Sequence, residues 1–293
     1  MTGACVVDPP TMSGWQSETS GSVALLRGVW GSSARDVYVV GDGGTILHSI
    51  GDASWSPQTS PNVVRLDGIA GASATDLYIS GNLNTLLHGN GTGQWTAVDM
   101  TMHPPFDILS SLFYVTPALV YAVGNFGFIL HSNGQGGWGQ DSSGTMTWLF
   151  QIWGSSTDLY TVGDGGVILH SVGDGVWTAQ PSGVTTALFG VWGPSATEVY
   201  AVGDQGTVLR SPGDGSWSPT AIGQGGTPLL GVFGTASDRF IVGKGGLILH
   251  SSDGTSWAAE PSGTTATLRR GWVSPERRAY VVGELGTILH RDL

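Results

Sequence analysis

The chain has 293 residues, of which 40% are hydrophobic and 11% charged, a balance that supports a large core and excludes a disordered chain. A formal net charge of -11 argues against the broad basic surface that nucleic acids or anionic bilayers require, and the single cysteine excludes an internal disulfide. The 48 glycines follow no Gly-X-Y period, which rules out collagen and points to short strands joined by tight turns.

The first 12 residues, "MTGACVVDPP TM", read as a flexible tail ahead of one domain over residues 13–293. Small residues before Cys5 resemble the end of a bacterial lipoprotein signal, which implies an extracytoplasmic protein, secreted or lipid-anchored at Cys5. No run approaches the ~18 apolar residues of a membrane-spanning helix.

An isolated tryptophan strand, "SGWQSETSG" around Trp15, precedes the first full unit. That unit runs "LRGVWG" from Leu26, "DVYVVG" from Asp36, "TILHS" from Thr45 and "WSPQTS" from Trp55. Each run is short, rich in Val, Ile, Tyr and Trp, and bounded by Gly, Asp and Ser, as strands between tight turns are. Later units repeat the order, for example "LFGVWG" from Leu188, "EVYAVG" from Glu198 and "LLGVFG" from Leu229. Equivalent glycines fall at Gly41, Gly81, Gly124, Gly163, Gly203, Gly243 and Gly283, with spacings of 40, 43, 39, 40, 40 and 40 residues. The last unit stops at "TILHRDL" and lacks a tryptophan strand.

Four strands per unit at this period predict an all-β, seven-bladed β-propeller with four-stranded blades. The Trp15 strand would complete the last blade and close the ring, so that no open seam remains.

The turn "HSSDGTSW" (His250 to Trp257) resembles the Asp-box of sialidase-type propellers, and "GVILHSVGDGVW" resembles the repeats of Ycf48-type photosystem II assembly factors. The similarity is fullest to repeat proteins of the form "GVWGSSATDVYAVGDGGTILHS" from myxobacterial and related genomes. These resemblances cover the chain from Trp15 onward and imply the propeller fold. Most copies here read Ser-x-Gly-Asp-x-x-Trp, a degenerate Asp-box, and the arginine triad with a tyrosine and glutamate pair of a sialidase cannot be assembled from this sequence.

Six histidines share one repeat position, His48, His88, His131, His170, His250 and His290, with Arg210 in the remaining unit. Neighbouring blades hold these positions more than ~10 Å apart, whereas a metal needs ligands near 2 Å, so no shared metal is expected. Arginine's substitution for histidine predicts a structural hydrogen bond to a loop or to a neighbouring blade's backbone. The "GDGG" turns, with Asp42, Asp164 and Asp204 and their variants Asn125, Lys244 and Glu284, read as hairpins. The periodic aromatics, Tyr38, Tyr78, Tyr121, Tyr160, Tyr200, Phe240 and Tyr280 with Trp30, Trp153, Trp192 and Trp272, read as inter-blade core.

Sites are sought where the copies differ. The second residue of the innermost strand varies freely, through Arg27, Asp67, Ser110, Phe150, Phe189, Leu230 and Arg269, and strand alternation aims it at the axial channel. Of the 11 basic residues, Arg27, Arg269, Arg270, Arg277, Arg278 and Arg291 cluster in the first or last unit and predict a patch for a carboxylate, phosphate or acidic segment. The connector from Trp95 to Leu109 is 14 residues long against a usual 11, and its Met100, Met102, His103 and Phe106 form a candidate apolar contact.

No catalytic constellation stands out and no cofactor or metal is called for. The expectation is therefore a non-enzymatic, monomeric, extracytoplasmic interaction module that binds a protein or carbohydrate on one face, with no nucleic-acid partner. The alternatives are a propeller lectin with repeated inter-blade sugar sites and a sialidase-like glycoside hydrolase.

Overall fold

The computed structural model describes residues 14–100, 108–155, 157–223 and 225–293. The expected tail with Cys5, and Met102, His103 and Phe106 of the long connector, lie outside the described residues.

Seven antiparallel four-stranded sheets form a ring of blades. Blade 1 comprises Leu26–Ser33, Asp36–Gly41, Ile46–Ser49 and Ser56–Pro57 from the axis outward, and blades 2 to 6 repeat it. Blade 7 takes Leu268–Val273, Arg278–Gly283 and Ile288–Asp292 from the end of the chain and its outermost strand, Gln16–Glu18, from the beginning. Gln16 pairs with His290 and Glu18 with Ile288, which is the predicted closure.

Glycine recurs at the end of the second strand because the innermost strand passes directly over it. A Cβ on Gly41 would stand 2.3 Å from the Leu25 carbonyl oxygen, and one on Gly124 only 1.8 Å from that of Ile108. The third strand, "ILHS" in blades 1, 3, 4 and 6, is buried at three of its four positions because both faces are covered by neighbouring blades.

The blades are held together by an aromatic relay. Each second-strand ring meets the outer tryptophan of the next blade edge to face: Tyr38 with Trp95, Tyr280 with Trp55 and, across the closure, Phe240 with Trp15 at 5.5 Å between centroids. The indole N–H then reaches back to the preceding blade. Trp55 donates to Glu18, Trp95 to Gln58, Trp177 to Asp141, Trp217 to Gln180 and Trp15 to Glu260, at 2.6 to 3.1 Å. Each acceptor lies three residues after its own blade's tryptophan. Where that position is Val98 or Thr220, the facing indoles, Trp138 and Trp257, have buried N–H groups with no acceptor among the described residues.

Candidate functional site

The third-strand histidines pair with carboxylates rather than with loops or neighbouring backbone, which corrects the expectation. His48, His88, His170 and His250 place Nε2 2.8 to 3.0 Å from Asp36, Asp76, Asp158 and Asp238, which stand at or immediately before the start of the adjacent second strand. Each ring also packs on its blade's Tyr38, Tyr78, Tyr160 or Phe240 at 4.4 to 4.8 Å. Blades 3 and 7 carry Leu119 and Arg278 at the aspartate position. There Nδ1 of His131 and His290 turns to Asp141 and Glu18 on the outermost strand, and the ring separations widen to 6.0 and 6.3 Å. In blade 5 Arg210 lies 3.6 Å from Glu198 and 6.0 Å over the Tyr200 ring. Among the described residues no three His, Cys, Asp or Glu side chains converge as metal ligands would.

The Asp-box-like turn is likewise local. Asp253 accepts hydrogen bonds from the Thr255 and Ser256 N–H groups and from Ser251 Oγ, and those donors hold its carboxyl well below the usual range.

The six arginines named from sequence in blades 7 and 1 do not form one patch, because they stand at different ends and depths of their strands. Arg277 bonds Asp238 at 2.8 Å, Arg278 bonds Asp292 at 2.6 Å, and Arg291 bonds Glu260. Arg27, Arg269 and Arg270 instead enter the axial channel.

Leu26 pairs with Gly41, so the innermost strand begins where the second strand ends. The connectors entering the innermost strands and the turns joining second to third strands therefore share one face of the ring. At the centre of this face is a cavity of about 330 Å³ lined by Arg27, Asp67, Ser110, Phe150, Phe189, Leu230 and Arg269, the seven variable inner-strand residues. Arg65, Trp148 and Arg270 complete the wall. Arg65 and Trp148 were missed from sequence, although the position they share, one before the innermost strand, is also variable: Leu25, Arg65, Ile108, Trp148, Ala187, Pro228 and Thr267.

The cavity is two-sided. Blades 4 and 5 present Trp148, Phe150 and Phe189 in a contiguous aromatic wall, with centroids 5.3 Å apart between successive rings. Trp148 is fixed by its indole N–H donating to Ser110 Oγ at 2.7 Å. Blades 7, 1 and 2 present the arginines. Arg27 bonds Asp42 at 2.5 Å, and Arg65 bonds Asp67 at 2.8 Å. Burial still raises the Asp67 pKa above the usual carboxylate value, against the pull of Arg65 and Arg27.

Arg269 and Arg270 have no carboxylate within ion-pair distance among the described residues. Arg270 donates to the Leu230 and Arg269 carbonyl oxygens, while Arg269 Nε is buried without a partner. Desolvation, reinforced by the neighbouring arginine charge, lowers both pKa values, that of Arg270 to about 10, so both remain charged at neutral pH. Arg270 stands where the other blades have Gly28, Gly68, Ser111, Gln151, Gly190 and Gly231. Beneath it the channel continues as a second cavity of about 320 Å³, whose wall includes Trp30, Trp153, Trp192 and Trp272. These four tryptophans thus border the channel as well as packing on the inter-blade core.

The same face carries exposed apolar side chains. The third residue of the four-residue turn between second and third strands is left-handed in all seven blades, with φ of 66° to 70° at Gly43, Gly165 and Gly245 and 55° at Gln205. Yet it is Leu83, Phe126 and Leu285 in blades 2, 3 and 7, at φ of 51° to 56°, with 57%, 53% and 76% of their surface exposed. Val23, Val63 and Met146, on connectors of this face, are 87%, 84% and 75% exposed. Phe106 has the equivalent sequence position in the connector to blade 3 but lies outside the described residues, and Met100 is buried in the core of blades 2 and 3.

No protein-family model matches the sequence, and no curated protein matches it. Solved structures do. Ycf48 bound to D1 peptide superposes with a TM-score of 0.80 at 15% identity, covering 95% of this chain and 97% of that one. Ycf48 from Cyanidioschyzon merolae gives 0.80 at 17% identity, covering 96% and 99%. A streptogramin B lyase gives 0.85 at 12% identity, covering 94% and 97%. At these identities the likeness shows the seven-bladed propeller fold, which here includes a peptide-binding protein and an enzyme.

Proposed function

We propose that this propeller is a non-enzymatic binding module that docks a protein segment on its turn and connector face, acting outside the cytoplasm as a monomer. The carrying observation is the choice of Leu83, Phe126 and Leu285 at left-handed turn positions where glycine serves the fold. A non-glycine residue there costs of order 1 kcal/mol, and exposing its apolar side chain forfeits burial as well. Folding gains nothing from either, whereas a docking surface gains an apolar rim around a cationic cavity. The peptide bound by the structurally similar Ycf48 supports a peptide ligand over a small-molecule substrate.

The test is selection from a displayed peptide library with wild type and with a triple variant, L83G/F126G/L285G. Wild type is expected to enrich peptides with apolar and acidic residues. The triple variant should lose that enrichment by tenfold or more while keeping its melting temperature, because the turns already accept glycine. Enrichment indifferent to the three substitutions would remove this face as the docking surface. Avid signals on a glycan array without peptide enrichment would favour the lectin reading.

A further inference from the structure

We propose that the upper axial cavity binds a carboxylate carried by an aromatic or apolar group, with the carboxylate between Arg269 and Arg270 and the apolar body against Trp148, Phe150 and Phe189. The inference deepens the reading of this face as a docking surface by naming the chemistry of its centre, and its test does not depend on the rim.

The charge arrangement inside the cavity supports it. Asp42 and Asp67 are engaged by Arg27 and Arg65. Glu284 is within electrostatic reach of Arg269 but accepts from the Thr267 N–H at 3.3 Å. Asp67 also acts on both arginines at a distance, but among the described residues neither Arg269 nor Arg270 has a carboxylate within ion-pair distance, so both remain partly buried cations facing the cavity in a protein whose net charge is -11. Enclosed cations are ordinarily paired, because an unpaired one loses hydration without compensation. Arg270 in particular replaces a small or neutral residue in each of the other six blades, so the repeat does not require it.

The opposite wall fixes the rest of the ligand. Three rings and Leu230 offer no hydrogen-bond donor toward an anion apart from the Trp148 N–H, which Ser110 already accepts. A bare phosphate would leave that wall unfilled. An arylalkyl acid, or the carboxylate of a peptide ending in phenylalanine, fills both sides. The cavity volume of about 330 Å³ sits at the small end of ligand pockets, which suits a single side chain or a small acid. Arginine's planar fork is the preferred partner for a carboxylate.

The experiment is isothermal titration of the full chain with 3-phenylpropionate, 3-phenylpropanol, inorganic phosphate, and peptides ending in phenylalanine as free acid or amide. Saturable binding of 3-phenylpropionate, at least tenfold tighter than the alcohol or phosphate, is expected. R270G and R269L restore residues that other blades carry at Gly28 and Leu230, so they should fold with no loss of melting temperature and bind the acid at least tenfold more weakly. Tighter binding of the peptide acid than of 3-phenylpropionate, with the amide inactive, identifies a chain terminus as the source of the carboxylate. Binding of the free acid alone identifies a small molecule. Absence of 3-phenylpropionate binding, equal binding of the alcohol or of phosphate, or full affinity in R270G overturns the proposal. The L83G/F126G/L285G variant should bind 3-phenylpropionate as wild type does, which separates failure of this proposal from failure of the rim.

Discussion

His48 and Asp36 are twelve positions apart in sequence and 2.8 Å apart across adjacent strands, and the presence or loss of the aspartate decides which way the ring turns in the six blades that carry the histidine. The residue-scale logic of the tryptophans is similar but crosses between blades. Among the described residues five indole N–H groups find an acceptor three residues after the preceding blade's tryptophan, and the two facing Val98 and Thr220 do not. Supplying the missing acceptor should stabilise the fold. T220Q is expected to raise the unfolding free energy by about 1 kcal/mol in denaturant titration, the net worth of one hydrogen bond to a group otherwise buried unpaired. V98Q should gain less, because Val98 also packs on the core of blades 2 and 3. A stability unchanged in both would show that water already serves these indoles. The recurrence of Glu, Gln or Asp three residues after tryptophan is visible in the sequence, but its meaning is not, since the acceptor serves a different repeat.

At the scale of the element, each turn between second and third strands uses two left-handed residues for two different reasons. The first, Gly165 in blade 4, would leave an added Cβ in open space, so only backbone preference asks for glycine there. The second is pinned against the next connector: a Cβ on Gly286 would lie 1.9 Å from the Ser22 carbonyl oxygen, and one on Gly246 1.9 Å from that of Thr264. G165A should therefore cost only about 1 kcal/mol of left-handed strain. G286A should cost more than about 2 kcal/mol, because the connector must move as well. Thermal melts of the pair check the difference, and equal costs would mean that the connector yields freely. This distinction explains why the first position was free to become Leu83, Phe126 and Leu285 while the second remains glycine in those 3-10 turns whose neighbours pack so closely. The sequence shows "GDGG" or a variant of it in each repeat, and only the neighbouring connector tells the two left-handed positions apart.

For the whole molecule, stability depends on the ring being closed by a strand from the opposite end of the chain. Gln16–Glu18 supplies the fourth strand of blade 7, Trp15 packs on Phe240 of blade 6, and Glu18 accepts from Trp55 of blade 1. Deleting residues 1–20 removes contacts to three blades at once. Burial of one tryptophan together with two inter-blade hydrogen bonds predicts a loss of about 5 kcal/mol and a sharply lower melting temperature. A truncated chain that melts as the full one does would contradict closure.

The number of blades, the four strands of each and the N-terminal closure were legible in the sequence alone, because every blade must repeat the same local pattern of apolar strands and glycine turns to stack on its neighbours. The variable inner-strand position was legible too, through strand alternation. What the tertiary structure alone decided is which variable residues meet. Arg277, Arg278 and Arg291 are close to Arg269 and Arg270 in sequence yet pair with carboxylates elsewhere, while Arg65 and Trp148, from distant repeats, line the same cavity. The reason is geometric: a repeat fixes each residue's depth and end within its own blade, but the ring brings together positions of equal depth from different blades, and their combined charge and shape exist only once it is closed.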